Sequence, residues 1–130
     1  MLKFFRQSLA RFPVRALVLL AALVPGRALA AGELQLLMFE QPGCGWCARW
    51  NAEVAPQYPL TDEGRAAPLR RLQLREPLPG GLALQRPVTF TPTFVLVADG
   101  AETARLEGYP GEDFFWPLLS RMIAEAGATP

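Results

Sequence analysis

Two cysteines are the residues of this chain whose types and spacing are best suited to chemistry. Cys44 and Cys47 are its only thiols, and they lie three positions apart in the segment CGWC. Two thiols at this spacing can exchange electrons with another disulfide by forming and breaking a disulfide between themselves. A structural disulfide and half of a metal site are the alternatives. The first closes so short a loop that it adds only about 2 kcal/mol, and the second would need ligands from another chain.

The two cysteines are expected to have different roles because they lie at different depths of a predicted helix. Cys44 comes where a strand runs into this helix, and unpaired backbone N–H groups at a helix start stabilise a thiolate relative to a thiol. Cys47 lies one turn further along and should be less accessible. We therefore favour redox chemistry without a metal, in which Cys44 attacks and Cys47 resolves the mixed disulfide. Such a dithiol carries two electrons and needs no cofactor.

A second candidate site is the segment Thr91-Pro92, directly before the most strand-like run of the sequence. Proline cannot donate a hydrogen bond to a sheet, so it is often found where a strand begins. One interpretation is a proline that only initiates the strand. The other is a cis-proline beside the thiols, with the Thr91 backbone free to pair with an extended substrate. The residues alone leave both interpretations open.

The composition sets limits on both fold and function. A length of 130 residues predicts one domain with a single core. The absence of His excludes most zinc sites and the Ser/His and Cys/His nucleophile pairs. The 13 Lys and Arg residues against 12 Asp and Glu give a formal charge of +1. This charge does not indicate the clustered basic face of a nucleic-acid-binding protein.

Residues 1–30 have the pattern of a secretory signal peptide. A basic segment, 1–15, precedes nine apolar residues at 16–24, and the small-residue pattern Ala28-Leu29-Ala30 follows. Nine apolar residues are far fewer than the roughly 20 that span a bilayer. We expect cleavage after Ala30, a domain formed by residues 31–130, and an oxidising compartment in which thiols pair unless they are kept reduced. An uncleaved membrane anchor and an ordinary buried helix are the alternatives.

The apolar patterns predict four strands and three helices. The strands are expected at 34–39, 71–75, 93–98 and 102–107, and the helices at 44–55, near 61–67 and at 112–126. Pro117 should either begin the regular part of the last helix or kink it. The first two strands are expected to be parallel because a helix separates them, and Asp99-Gly100 predicts an antiparallel hairpin. The result is an α/β fold with a small mixed sheet.

The CGWC motif, the Thr91-Pro92 pair and the order of elements resemble the thioredoxin superfamily over about 33–126. The resemblance implies a thioredoxin-like α/β fold, with a small mixed four-stranded sheet and helices on both faces. It implies a thiol-disulfide oxidoreductase with a cis Pro92 that faces the dithiol. The substrate would then contact Gly45, Trp46, Thr91 and Pro92.

Three segments narrow the resemblance to the SoxS thioredoxins of bacterial sulfur-oxidation (Sox) operons: MFEQPGCGWCARWNAEVAPQYP, PVTFTPTFVLV and GYPGEDFFWPLL. This resemblance implies a periplasmic reductant that removes oxidised adducts from the sulfur-carrier protein SoxYZ and is recharged by a membrane thiol transporter of the CcdA type. We expect a monomer that acts on protein partners and binds no nucleic acid. Two alternatives are a disulfide-forming or isomerising oxidoreductase and a non-enzymatic binding module whose disulfide is structural.

The chain departs from ordinary thioredoxins near the thiols. Gly45-Trp46 replaces Gly-Pro between the cysteines, and Met38 occupies the position of the buried thioredoxin acid. Glu40 is then the nearest carboxylate, either as the proton acceptor for Cys47 or as a solvated residue at a strand end. The segment 76–87 contains three prolines and two glycines, so a loop is expected where thioredoxins have a helix. The substrate groove should differ in shape accordingly.

Aromatic residues complete the candidate list. Trp46 is expected on the exposed rim of the site or partly packed at the helix start, and Trp50 in the core. Phe114, Phe115 and Trp116 form a cluster whose members cannot all face inward. One interpretation is that one of them marks a docking patch, and the other, which we favour, is hydrophobic packing against the sheet.

Overall fold

A computed structural model of the chain describes residues 32–130, so the predicted signal peptide lies outside the described residues. The strands are β1 (Leu34–Glu40), β2 (Leu69–Gln73), β3 (Thr93–Ala98) and β4 (Ala101–Glu107). The helices are α1 (Gly45–Glu53), α2 (Asp62–Ala66) and α3 (Glu112–Glu125), with a 3-10 turn at Tyr58–Leu60. None of the helices in the described part is long and apolar enough to cross a membrane.

The four strands form one mixed sheet in the order β2-β1-β3-β4. β1 and β2 are parallel, as the intervening helix predicted, and the other two pairs are antiparallel. Asp99 and Gly100 join β3 to β4, and both have a positive φ, 49° and 83°. Asp-Gly pairs favour this left-handed backbone in two-residue hairpin turns. The predicted thioredoxin-like sheet is thus confirmed.

The start of β2 differs from the prediction, and the structure decides between the two alternatives for Pro117. β2 begins at Leu69, two residues early, because its pairing with β1 starts as soon as the chain leaves Pro68. The Leu36 N–H donates to the Pro68 carbonyl at 3.0 Å, and Leu36 lies opposite Leu69. α3 begins at Glu112 and contains Pro117 as an interior residue. Of the two alternatives for Pro117, the one in which it begins the regular helix is therefore wrong.

One face of the sheet is covered by helices, and we call it the helix-covered face. Its sheet residues are Leu34, Leu36, Met38, Phe94 and Leu96. The helices add an aromatic and aliphatic layer that includes Trp50, Tyr58, Phe115, Leu119 and Ile123. This larger cluster contains Cys47 as well, so the core extends directly beneath the two thiols.

The opposite face, which we call the loop-covered face, is formed by Leu37, Phe39, Val95 and Val97. In residues 32–130 the side chains from outside the sheet that pack on it are Leu82, Leu84 and Val88. They belong to the segment 74–92, which contains no helix, as its prolines and glycines predicted. Within residues 32–130 the helices therefore cover one face and not both, which corrects that detail of the expected architecture.

Candidate active site

The two cysteines lie where β1 turns into α1. Gly43 makes the turn with φ +78°, in the left-handed region that glycine adopts most easily. Cys44 is the N-cap of α1, and its Sγ accepts a hydrogen bond from the Cys47 N–H at 3.1 Å. Cys44 and Cys47 form a disulfide with a Cα–Cα distance of 5.2 Å. The helix start thus presents a backbone donor directly to the first sulfur.

The two sulfur-bearing residues differ in burial, as the spacing predicted. Cys44 is half-buried, whereas Cys47 is only 4% exposed and belongs to the core of the helix-covered face. Both line a cavity of about 420 Å³ with Gly45 and Asn51. An incoming disulfide therefore has easier access to Cys44 than to its partner.

The Thr91–Pro92 peptide bond is cis, so the cis interpretation of this proline is confirmed. Pro92 is buried, and its carbonyl accepts a hydrogen bond from the Gly108 N–H at 2.8 Å. No other residue of 32–130 bonds to the Thr91 backbone. The Thr91 side chain is held by Gln41, whose Nε2 donates to Oγ1 at 3.0 Å. Gln41, which the sequence analysis missed, links the segment before Cys44 to the proline segment.

A groove of about 440 Å³ runs past this proline. It is lined by Trp46, Thr91 and Pro92 together with Phe90, Leu106, Glu107, Gly108, Tyr109, Pro110 and Leu118. Trp46 is 55% exposed, so it forms the rim of the groove rather than packing at the helix start. The lining is mainly apolar, and Thr91 adds backbone groups that can pair with an extended chain.

A polar network at the end of α1 supports the wall of this groove. The Arg49 guanidinium lies 5.4 Å from the Trp46 ring and pairs with Glu53 at 2.8 Å. The Tyr109 hydroxyl donates to the Glu53 carboxylate at 2.6 Å. Hydrogen bonds from Arg49 and Tyr109 lower the pKa of Glu53, whereas burial raises the pKa of Tyr109. The network joins α1 to the segment between β4 and α3.

Glu40 lines the cysteine cavity, and it is paired rather than solvated. Its Oε2 lies 2.8 Å from Nη1 of Arg71, a residue that the sequence analysis missed. Arg71 is the β2 residue opposite Met38 in the parallel register. That register, once known, is the pattern that would have placed Arg71 within reach of Glu40 at the cysteine cavity.

Comparison with known proteins agrees with this geometry. Residues 25–123 match the family model described as a thioredoxin-like domain. The crystal structure of the reduced periplasmic thioredoxin SoxS from Paracoccus pantotrophus is 76% identical, with a TM-score of 0.71 over 72% of this chain and 99% of that one. Malassezia sympodialis thioredoxin is 13% identical over 71% of this chain and 76% of its own, with a TM-score of 0.50, and supports the fold alone.

Among curated proteins there is no significant match. The family model covers about three quarters of the sequence, and it includes both cysteines and the cis-proline. The match to SoxS extends over nearly the whole of that protein. The chain therefore belongs to the thioredoxin-like family and is a thiol-disulfide oxidoreductase with a CXXC disulfide.

Proposed function

We propose that the protein is an exported reductant that restores thiols, or removes S-adducts, on periplasmic partner proteins. The observation that carries the assignment of roles is the unequal burial of the two cysteines. Cys44, half-buried and placed at a helix N-cap, is the attacking thiol. Cys47, buried one turn deeper, is the resolving thiol.

The reaction transfers two electrons from the dithiol to the partner. The Cys44 thiolate attacks one sulfur of the partner disulfide or S-adduct and forms a mixed disulfide, and the displaced thiolate takes up a proton. Cys47 then loses its proton and attacks the Cys44 sulfur. The Cys44–Cys47 disulfide reforms and the second partner thiolate leaves. The partner is reduced and the dithiol is oxidised, so no further cofactor takes part.

The partner would lie in the groove beside the cis-proline. An extended segment pairs with the free backbone of Thr91, while its side chains contact Pro92 and the exposed ring of Trp46. Gly45 has open space around its Cα and allows the partner to approach the attacking sulfur closely. The mainly apolar lining fits an uncharged segment on either side of the target sulfur.

Compartment and partner are proposed from the resemblance to SoxS, since that protein is described as a periplasmic thioredoxin. Residues 1–30 would be the signal peptide and 31–130 the mature domain. The sulfur carrier SoxYZ would be the partner, and a membrane thiol transporter of the CcdA type would supply electrons to a monomeric protein. The high identity over nearly the whole of that relative supports this proposal.

Trapping tests the roles of the two cysteines. Cys47→Ser should accumulate mixed disulfides with SoxYZ or a model disulfide peptide, because the intermediate cannot be resolved. Cys44→Ser is the matched control and should trap far less. Accumulation on the Cys44→Ser variant instead would reverse the assigned roles.

A redox titration tests the direction of electron flow. Equilibration of the purified protein with glutathione or dithiothreitol should give a reduction potential near the roughly −270 mV of thioredoxin. A value near the roughly −120 mV of the oxidant DsbA would mean that the protein forms disulfides rather than reducing them.

A further inference from the structure

We infer that the Glu40–Arg71 ion pair sets the reduction potential of the Cys44–Cys47 couple by balancing one negative against one positive charge at the edge of the cavity that both cysteines line. The inference deepens the proposed function, because it concerns how the same dithiol is held at a reducing potential. Three features support it. The pair lies at the cysteine cavity, several contacts hold the Arg71 guanidinium in place, and reduction of the disulfide creates a negative charge there.

The pair lies at the wall of the cysteine cavity. Among the described residues that line this cavity, Glu40 is the only one with a charged side chain, and both cysteines line it too. Arg71 reaches the same wall from β2, with Nη1 2.8 Å from Glu40 Oε2. The Glu40 side chain is 18% exposed and that of Arg71 39%, so bulk water screens the carboxylate less than the guanidinium.

Arg71 is held in place by more than Glu40. Its Nη2 donates to Asn51 Oδ1 at 2.8 Å, and Asn51 is itself a residue of the cavity wall. The guanidinium lies 5.5 Å from the Trp50 ring centroid, and Nη1 lies 3.8 Å from Met38 Sδ. Contacts with α1 and β1 therefore fix the positive charge near the helix that carries both cysteines. A charge held in this way acts on the thiols without a reorganisation of side chains.

Reduction creates negative charge at this place. When two glutathione thiols reduce the Cys44–Cys47 disulfide, glutathione disulfide leaves, the protein gains one thiol and one thiolate, and the remaining proton passes to the solvent. A nearby positive charge stabilises the thiolate and makes the couple more oxidising, and a negative charge does the opposite. Arg71 and Glu40 thus act in opposite directions, and together they leave the thiols in a nearly neutral environment.

The test is the equilibrium constant of the purified protein with glutathione, compared among charge variants at low ionic strength. Glu40→Gln leaves Arg71 unneutralised, so the constant for reduction should rise about tenfold, which is about 30 mV towards oxidising. Arg71→Gln leaves Glu40 unneutralised, so the constant should fall by about the same factor. The double variant Glu40→Gln/Arg71→Gln should return to within about threefold of the wild type.

Two controls separate charge from structure. Arg71→Lys keeps the charge but loses the planar contacts, so its constant should stay within about threefold of the wild type. Arg121→Gln and Glu125→Gln break an exposed pair on α3, away from the cysteine cavity, and should leave the constant unchanged. Raising the salt concentration should reduce both shifts of the cavity variants.

Shifts of the same sign in Glu40→Gln and Arg71→Gln, or no shift in either, would overturn the inference. If one of these variants does not fold, the sign of the shift in the other decides alone. The proposed function is tested by a different quantity, the reduction potential of the wild type. An oxidising value there would reverse electron flow, whether or not the two variants shift in opposite directions.

Discussion

The two faces of the sheet are stabilised by different forces. On the helix-covered face Trp50, Phe94 and Phe115 are fully buried, with ring centroids between 5.1 and 5.8 Å apart. On the loop-covered face the sheet residues are equally buried, but the side chains that cover them, such as Leu82 and Leu84, are themselves only half-buried. Apolar packing therefore contributes more to holding the helices than to holding the loop.

A buried ion pair on β4 replaces the missing helix contacts. Glu102 and Arg105 have almost fully buried side chains, and Arg105 Nε lies 2.8 Å from Glu102 Oε1. Arg105 also donates to the carbonyls of Arg86 and Pro87 at 2.7 and 3.2 Å, and Glu102 accepts from the Gln85 N–H at 2.8 Å. A covering loop leaves backbone groups that need partners. On the loop-covered face the side chains of Glu102 and Arg105 supply these partners.

This difference extends to the active site, because its two cysteines and its proline belong to differently held parts of the chain. Cys44 and Cys47 start α1, which packs into the aromatic core. Thr91 and Pro92 end the segment 74–92, which Arg105 holds at the carbonyls of Arg86 and Pro87. We call Cys44 and Cys47 the attacking side of the active site, and Thr91 and Pro92 its docking side. We expect substitutions in the aromatic core to affect mainly the attacking side, and substitutions in the loop to affect mainly the docking side.

Phe115→Ala should have the largest effect on stability. Phe115 contacts Trp50, Phe94 and Tyr109 edge to face and is only 1% exposed, so its removal leaves a cavity between α3 and the sheet. We expect the free energy of unfolding, measured with urea, to fall by about 4 kcal/mol. Phe114→Ala, at the neighbouring and 65% exposed position, is the matched control and should change it by less than about 0.5 kcal/mol. Equal losses would mean that the aromatic core does not hold α3.

Glu102→Gln should have the next largest effect, because it removes the nearer of the two carboxylates that pair with the buried guanidinium of Arg105, at 2.8 Å against 3.7 Å for Glu107. We expect a loss of about 2 kcal/mol at pH 7 and faster amide hydrogen exchange in 83–88. Burial alone would raise the pKa of Glu102, but hydrogen bonds from Arg105 and the Gln85 N–H hold it below its ordinary value.

A carboxylate whose pKa is lower in the folded state stabilises the fold above its unfolded pKa, which is about 4.3 for Glu. That contribution is lost as the pH falls from this value through the folded pKa of Glu102. The wild type and Glu102→Gln should therefore converge in acid. Glu125→Gln is the control, because it removes a carboxylate from an exposed pair. It should neither lower the free energy of unfolding at pH 7 nor speed the amide hydrogen exchange of 83–88. A constant difference between wild type and Glu102→Gln down to pH 2 would contradict the role of the ion pair.

Local patterns in the sequence predicted the parts of the molecule that depend on neighbouring residues. The placement of Cys44 at a helix start, the Asp99-Gly100 hairpin and the absence of a helix in 76–87 follow from residue types within a few positions. The contacts that distinguish this chain depend on strand register instead. Glu40 meets Arg71 across 31 positions because β1 and β2 are parallel in one particular register.

The same limit applies to the loop-covered face. Arg105 reaches the carbonyl of Arg86 across 19 positions, a contact that no periodicity within the loop indicates. The proline and glycine content of the loop predicted that a helix would be missing. It did not predict what would take its place, because that depends on which β4 side chains point towards the loop-covered face.

Thr91→Val should give the smallest effect, at the place where the two sides of the active site meet. The substitution removes the hydroxyl that accepts from Gln41 Nε2 but keeps the shape of the side chain. Because water can reach the freed amide, the free energy of unfolding should fall by less than about 1 kcal/mol. The proline segment should nevertheless be less well placed, so the second-order rate constant for reduction of a disulfide peptide should fall about threefold, or about 0.7 kcal/mol.

Thr103→Val is the matched control for this prediction. Thr103 lies on β4, and its hydroxyl donates to the Leu96 carbonyl of β3 at 3.1 Å. Thr103 lines neither the groove nor the cysteine cavity. The control should lose similar stability and keep its rate constant, because it leaves the link between Gln41 and Thr91 intact. A loss of rate in both variants would mean that overall stability limits the reaction. A loss in Thr91→Val alone would mean that the attacking and docking sides act together through one side-chain hydrogen bond.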